Sequence, residues 1–146
     1  MEIKSKVFSN NQPIPSKYTC DGENINPELE FLNIPENTQS LILIMDDPDA
    51  PSGNFTHWVM SDISPRIKKI EENSVPQGVA QGLNGAGRNN YTGPCPPSGT
   101  HRYYFKLYAL DNKIFLTMEM GKAEVEKAME GHIIDKAELI GLYQRH

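Results

Sequence analysis

The stretch SLILIMDDPDAP, residues 40–51, decides how this chain is organised. Its first half, SLILIM at 40–45, is short and continuously apolar, which is typical of a central strand covered on both faces. Its second half, DDPDAP at 46–51, places three carboxylates in four positions and adds Pro48 and Pro51, which fix the backbone and remove N–H donors. The stretch therefore predicts a buried strand that ends in a rigid acidic turn.

Working outward, further segments carry strand patterns and one carries a helix pattern. Strands are predicted at residues 3–7, 28–31, 56–63, 101–110 and 137–143. Five residues recur at helical spacing near the end of the chain, and we interpret their stripe as core packing. They are Val125, Ala128, Met129, His132 and Ile133. The pattern predicts a mainly β single domain, residues 1–146, with one C-terminal helix.

Charge and composition exclude several classes of protein. The chain has 14 basic and 19 acidic side chains, a formal net charge of −5 and no basic run, so the electrostatic footprint of a nucleic-acid-binding protein is missing. The longest strongly apolar run, 41–45, is too short to span a membrane. The N-terminus lacks an apolar signal core, so a cytoplasmic protein is expected. Two cysteines without CxxC spacing exclude a zinc finger.

Three clusters carry residues suited to a binding site. They are the acidic turn with Asp47 and Asp49, His57 at the start of a predicted strand, and the loop YTGPCPPSGTHRYYF (91–105), which contains His101. Each has a structural alternative: a solvated turn, a buried structural histidine and a rigid loop. If they converge, acidic neighbours favour charged imidazoles, and these imidazoles with loop N–H groups would hold a phosphate or sulfate.

These motifs resemble the signature regions of the phosphatidylethanolamine-binding protein family, most closely its short bacterial and archaeal, Raf-kinase-inhibitor-like branch. The resemblance is carried by YTCDGENINPEL (18–29), DPDAP (47–51), HWVM (57–60), GPCPPSGTHRYYF (93–105) and AMEGHIIDKAELIGLY (128–143). It implies an antiparallel β-sandwich with a large central sheet, a smaller flanking sheet and a C-terminal α-helix.

The resemblance also implies a pocket for phosphate-bearing or phospholipid-head-group ligands. Its residues would be Asp47, Pro48, Asp49, His57, Gly93, Pro97, His101 and Tyr103. We expect a binding protein without cofactor or metal rather than an enzyme, because no GxSxG motif or Ser or Cys with an obvious base is present. Two alternatives stay open: a protein-interaction regulator, such as a kinase or protease inhibitor, and a hydrolase with a His/Asp site. A protein partner or a homodimer is compatible with either.

The two cysteines lie in motifs that the resemblance places around the pocket. A cytoplasmic chain seldom keeps disulfides, which favours two free thiols at Cys20 and Cys95. The alternative is that they face each other and form a bridge under oxidation, which requires Cα atoms within about 7 Å. The sequence leaves both interpretations open.

Overall fold

Strands dominate the structure, a computed structural model that describes all residues from 1 to 146. The strands are β1 (Glu2–Lys4), β2 (Gln12–Pro13), β3 (Leu29–Leu32), β4 (Ser40–Asp47), β5 (Phe55–Ile63), β6 (Lys69–Ile70), β7 (Ala80–Gln81), β8 (His101–Leu110) and β9 (Ile133–Tyr143). One 3-10 turn (Ser16–Tyr18) and one α-helix, α1 (Lys122–Met129), complete the regular elements. The predicted strand at 101–110 coincides with β8.

Two sheets of unequal size form a sandwich, which confirms the predicted architecture. The larger has six strands in the order β2-β9-β8-β4-β5-β7, and the smaller has three in the order β1-β3-β6. One pair departs from the antiparallel prediction, because β2 runs parallel to β9. The Ile14 N–H donates to the Leu142 carbonyl at 2.7 Å, which fixes the chain after β2 alongside the last strand.

Strand β4 supplies side chains to both faces of the larger sheet. Alternate residues, beginning at Leu41, belong to the main core between the two sheets. The residues between them, Ile42 and Ile44, pack in a second cluster with Val125 and Met129 of α1. Both faces of β4 are therefore covered, which explains why the run at 40–45 is continuously apolar.

The predicted helical stripe is correct for Val125 and Met129, but Ala128 is exposed on the same helix, and His132 and Ile133 lie beyond its end. Val125 and Met129 of α1 are buried against the sheet, but the helix ends at Met129. Gly131 adopts a φ of +79°, which turns the chain back, and Ile133 begins β9 with 45% of its surface exposed. The hydrophobic spacing continues past Gly131, but the positive φ of this residue ends the helix.

The opening strand is shorter than predicted, and the closing strand is longer. β1 ends at Lys4 because the Ser5 hydroxyl donates to the Glu28 carbonyl at 2.6 Å and takes the chain out of the ladder with β3. β9 begins at Ile133, where it pairs with Leu110 of β8. None of the helices is long and apolar enough to cross a membrane.

The strand register brings three sequence motifs to one end of the larger sheet. Asp47, the last residue of β4, pairs with Phe55 at the start of β5. Asp46 pairs with Tyr104 near the start of β8. The acidic turn, the first residues of β5 and the first residues of β8 therefore share one edge, where the candidate site lies.

Candidate functional site

Asp47 and His101 form a buried hydrogen-bonded pair at this edge. His101 Nδ1 donates to Asp47 Oδ2 at 2.7 Å, and the Asp49 N–H donates to the other carboxylate oxygen at 2.8 Å. Both side chains are buried. With its Nδ1 proton directed at Asp47, the ring has a fixed orientation, and Nε2 remains without a partner in the protein.

His57 is held as a neutral imidazole, whereas its acidic neighbours suggest a charged one. Its Nδ1 donates to the Thr92 carbonyl at 2.6 Å, which leaves Nε2 as an acceptor on the neutral ring. Burial lowers the pKa of His57, and this effect outweighs the opposing hydrogen bond to Thr92 and the charges of Asp47 and Asp46. The expectation that carboxylates keep this imidazole charged is therefore wrong for His57.

Tyr103 lies beside both imidazoles. Its ring meets His57 edge-on at 5.2 Å between centroids and stacks near His101 at 6.4 Å. The hydroxyl is buried and has no hydrogen-bond partner in the protein. Burial, helped by the charges of Asp47 and Asp49, raises the pKa of Tyr103, so the hydroxyl keeps its proton as a donor.

These side chains line a cavity of about 230 Å³. The lining residues are Asp47, Ala50, Pro51, Ser52, Phe55, His57, Thr92, Gly93, Cys95, Pro96, Pro97, His101 and Tyr103. Six of the eight predicted site residues are in this set, whereas Pro48 and Asp49 are not. Of the residues that the prediction missed, five lie inside the quoted stretches: Ala50, Pro51, Thr92, Cys95 and Pro96. Phe55 carried no signal in the sequence.

Asp49 is engaged by Arg102 instead of by the cavity. Arg102 donates from Nε to Oδ2 at 2.9 Å and from Nη2 to Oδ1 at 2.8 Å, and its backbone N–H also reaches Oδ2. The side-chain hydrogen bonds of Arg102 lower the pKa of Asp49 to about 2. The two charges compensate each other in this half-exposed pair.

A wall formed by residues 92–97 closes one side of the cavity and is tied to the loop around residues 19–24. Cys20 and Cys95 form a disulfide with Cα atoms 5.4 Å apart, which decides the question that the sequence left open. The Gly93 N–H donates to Asn24 Oδ1 at 2.8 Å. A Cβ at Gly93 would lie 2.4 Å from the Tyr18 carbonyl oxygen, so the close approach of these loops requires glycine.

No group of three or more His, Cys, Asp and Glu side chains in the structure is arranged to hold a metal ion. The polar groups of the cavity are two imidazoles, one carboxylate, a phenol, the hydroxyls of Ser52 and Thr92, and backbone groups. This set offers both hydrogen-bond donors and acceptors to a small polar ligand.

Comparisons with known proteins agree along the whole chain. A model of the phosphatidylethanolamine-binding protein family matches residues 4–144. A UPF0098 protein from Methanothermobacter thermautotrophicus is 50% identical, with 99% of each chain covered. A second UPF0098 protein, PH1269 from Pyrococcus horikoshii, is 49% identical over 99% of this chain and 78% of its own.

Solved structures give the same assignment. The phosphatidylethanolamine-binding protein homologue CT736 of Chlamydia trachomatis superposes with a TM-score of 0.95 at 41% identity, covering 99% of this chain and 97% of its own. E. coli YbcL, described as a member of the mammalian family, superposes with a TM-score of 0.93 at 27% identity, covering 99% and 98%. Sequence and fold therefore agree that the chain belongs to the phosphatidylethanolamine-binding protein family.

Proposed function

We propose that this protein binds small molecules that carry a phosphate group, either free or as a phospholipid head group, in the cavity at the end of the larger sheet. The observation that carries the proposal is the buried Asp47–His101 pair, which leaves Nε2 of His101 free of protein partners in the cavity lining. Membership of a family with a ligand-binding fold supports it.

Two donors without protein partners suit an anion. Nε2 of His101 must carry a proton to donate a hydrogen bond to a phosphate oxygen. Nδ1 carries a second proton, which it donates to Asp47. The bound ring is therefore an imidazolium, and the Asp47 carboxylate stabilises it. The Tyr103 hydroxyl is the second donor, and its burial without a partner is unfavourable until a ligand supplies an acceptor.

His57 adds an acceptor to the same cavity. Its Nε2 lone pair would take a hydrogen bond from a protonated phosphate oxygen or from the ammonium group of a zwitterionic head group. A cavity of about 230 Å³ is small for a ligand site, so it has room for a phosphate and a short head group. Acyl chains of a phospholipid would stay outside.

We propose binding without chemical conversion. The candidate nucleophiles of the lining are Ser52 and Cys95, and the Cys95 sulfur is part of the disulfide. Ser52 makes no hydrogen bond to either imidazole, so no activated hydroxyl is in place. Incubation with phosphoethanolamine should leave it intact, and release of inorganic phosphate would favour the hydrolase alternative instead.

Calorimetric titration with inorganic phosphate, phosphoethanolamine and ethanolamine tests the proposal. We expect the two phosphates to bind and ethanolamine alone not to bind. His101→Gln should abolish phosphate binding. His132→Gln is the matched control, because His132 also pairs with an aspartate, Asp111, at 2.8 Å but lies exposed and outside the cavity. Equal phosphate affinity in both variants would contradict the proposal.

Two further measurements sharpen the test. Cosedimentation with phosphatidylethanolamine vesicles, compared with free phosphoethanolamine, distinguishes a lipid head group from a free phosphate compound. Sulfate keeps its charge near neutral pH, so any change in its affinity with pH comes from the protein. The affinity should fall as pH rises, because Nε2 of His101 must hold a proton to donate. A sulfate affinity that does not change with pH would assign anion binding to backbone N–H groups.

A further inference from the structure

We propose that reduction of the Cys20–Cys95 disulfide weakens ligand binding, so that the cavity responds to thiol reductants. The inference rests on the proposed function, since it assigns regulation to the same cavity. It starts from position: Cys95 lines the cavity, and its bridge joins the wall 92–97 to a loop 75 positions earlier in the chain.

The wall carries groups on which the site depends. The Thr92 carbonyl accepts the His57 Nδ1 proton at 2.6 Å and so sets which nitrogen of that ring faces the cavity as an acceptor. Gly93, Cys95, Pro96 and Pro97 form the lining beyond it. Thr92 thus sets the orientation of His57, while movement of residues 95–97 changes the shape of the cavity.

The disulfide is the covalent member of a set of ties between the wall and the loop around residues 19–24. The others are hydrogen bonds: Cys20 N–H to the Pro94 carbonyl at 3.1 Å, and Gly93 N–H to Asn24 Oδ1 at 2.8 Å. Just before the wall, the Tyr91 hydroxyl donates to the Tyr18 carbonyl at 2.7 Å. These bonds hold the first part of the wall in place after reduction, whereas residues 95–97 lose their only tie of this set.

Both cysteines are open to a reductant. Cys20 and Cys95 are exposed, although their neighbours Thr19, Pro94 and Pro96 are buried. Exposed disulfides are the ones that exchange readily with thiols, while buried structural ones resist reduction. The bridge is therefore placed where a small thiol or a dithiol protein can reach it.

The redox step balances as ordinary thiol–disulfide exchange. A thiolate of the reductant attacks one sulfur, the Cys20–Cys95 bond breaks, and a mixed disulfide forms while the released cysteine takes up a proton. A second thiol of the reductant then displaces the protein sulfur. The protein disulfide gains two electrons and two protons, and the reductant becomes a disulfide.

Reduction should weaken binding without abolishing it. A wall that is free to move must be ordered when the ligand binds, and this ordering opposes association. The imidazoles, Asp47 and Tyr103 remain on β4, β5 and β8, which the disulfide does not hold. We expect the Kd for inorganic phosphate to rise roughly threefold to tenfold on reduction.

The experiment measures two properties of the oxidised and reduced full chain. The first is the Kd for inorganic phosphate, by calorimetry with and without a dithiol reductant. The second is amide hydrogen exchange, which reports wall mobility without any ligand. Cys20→Ser serves as the matched variant, because Cys20 lies outside the cavity lining and the change leaves the Cys95 side chain in place. Protection of β8 amides shows that each form is folded.

We expect reduction of the native protein to raise the Kd and to speed exchange at the Cys95 amide, since Pro96 and Pro97 have no N–H. Cys20→Ser should match the reduced protein in both properties and should not respond to reductant. If the oxidised protein binds no phosphate and reduction still speeds exchange at Cys95, the disulfide holds the wall but the proposed function is overturned. An equal Kd in both redox states of a phosphate-binding protein overturns this inference, whether or not the wall exchanges faster.

Discussion

The two neighbouring carboxylates at the end of β4, Asp46 and Asp47, lie on opposite faces of the larger sheet and have opposite surroundings. Asp47 faces the cavity, where its partner is the His101 ring. Asp46 faces the side covered by α1, where its partners are Lys106 at 3.1 Å and Lys122 at 2.8 Å. Strand alternation alone separates two identical side chains into two environments.

The difference lies in the kind of positive charge on each face. The partners of Asp46 are two lysines, one of which belongs to α1, so this cluster fixes the helix on the sheet. The ring beside Asp47 is an imidazole whose second nitrogen has no partner in the protein. One carboxylate therefore holds the helix on the sheet, while the other orients a ring in the lining of the cavity.

Asp46→Ala is the change with the largest expected effect. The carboxylate is 1% exposed, and its Oδ2 serves both lysines and Asn54, so its removal leaves several donors without an acceptor. Breaking a buried ion pair from one side is strongly destabilising, and we expect a loss of about 3 kcal/mol in the free energy of unfolding, measured by urea denaturation. Phosphate affinity of the folded fraction should stay within about twofold, because the cavity lies on the other face.

Asp46→Asn is the control for this change, since its amide oxygen still accepts hydrogen bonds, and it should cost less than the alanine variant. A loss below about 1 kcal/mol for Asp46→Ala would show that the lysines find other acceptors. Asp46 would then contribute little to the stability of the fold.

Asp47→Asn should show the reverse balance. The amide keeps the size of the side chain but removes the negative charge that stabilises the His101 imidazolium, and a hydrogen bond to a charged group is worth about 2 kcal/mol. We expect phosphate affinity to fall at least about tenfold, by calorimetry, with a smaller change in stability than Asp46→Ala causes. Asp111→Asn, in the exposed pair with His132, is the control and should leave the affinity unchanged. A variant that binds phosphate normally would remove Asp47 from the site.

The sequence predicts that Asp46 and Asp47 lie on opposite faces of the sheet, but it does not predict which residues pair with Asp46. The run at 40–45 indicated a strand buried on both faces, and alternation within it implies that Asp46 and Asp47 point apart. Nothing in the sequence indicates that Lys106 and Lys122 meet Asp46, because that contact depends on the strand order and on how α1 packs. The pairing of β2 with β9 depends on similarly long-range contacts.

The site shows the same limit. Motif resemblance suggested that Asp47, His57 and His101 converge, and the registers of β4 with β5 and β8 explain why they do. The protonation state of His57 was predicted wrongly, since its burial outweighs its acidic neighbours and burial is a property of the packed fold. The helical stripe failed at Gly131 for a local reason, a positive φ that could have been anticipated from the glycine itself.

Sensitivity to mild acid should belong to the cavity face and should come from His57. Burial lowers the pKa of His57 below its ordinary value of 6.5. On acidification, His57 therefore becomes protonated in the unfolded chain at a higher pH than in the folded chain. Stability from this group is complete above about pH 6.5 and declines as pH falls below it, by at most about 1.4 kcal/mol per pH unit.

Urea denaturation between mildly alkaline and mildly acid pH checks this sign. Relative to the native protein, His57→Gln should lose part of the decline below pH 6.5, whereas Asp46→Ala should keep it despite its lower stability. A native stability that rises on acidification, or a slope that His57→Gln does not change, would assign the buried ring a charged state and reverse the assignment of His57 as an acceptor.

Asp49→Asn should have the smallest effect, and it tests whether the third carboxylate belongs to the cavity face at all. Sequence motifs placed Asp49 among the ligand-binding residues, but both of its oxygens accept hydrogen bonds from Arg102, and its side chain does not line the cavity. Its contact with the site is the backbone N–H that donates to Asp47, which an asparagine retains. Because exposed ion pairs contribute little, we expect the Kd for phosphate to change by less than about twofold at physiological salt. A loss comparable to that of Asp47→Asn would show that Asp49 contacts the ligand and that the site extends beyond the buried pair.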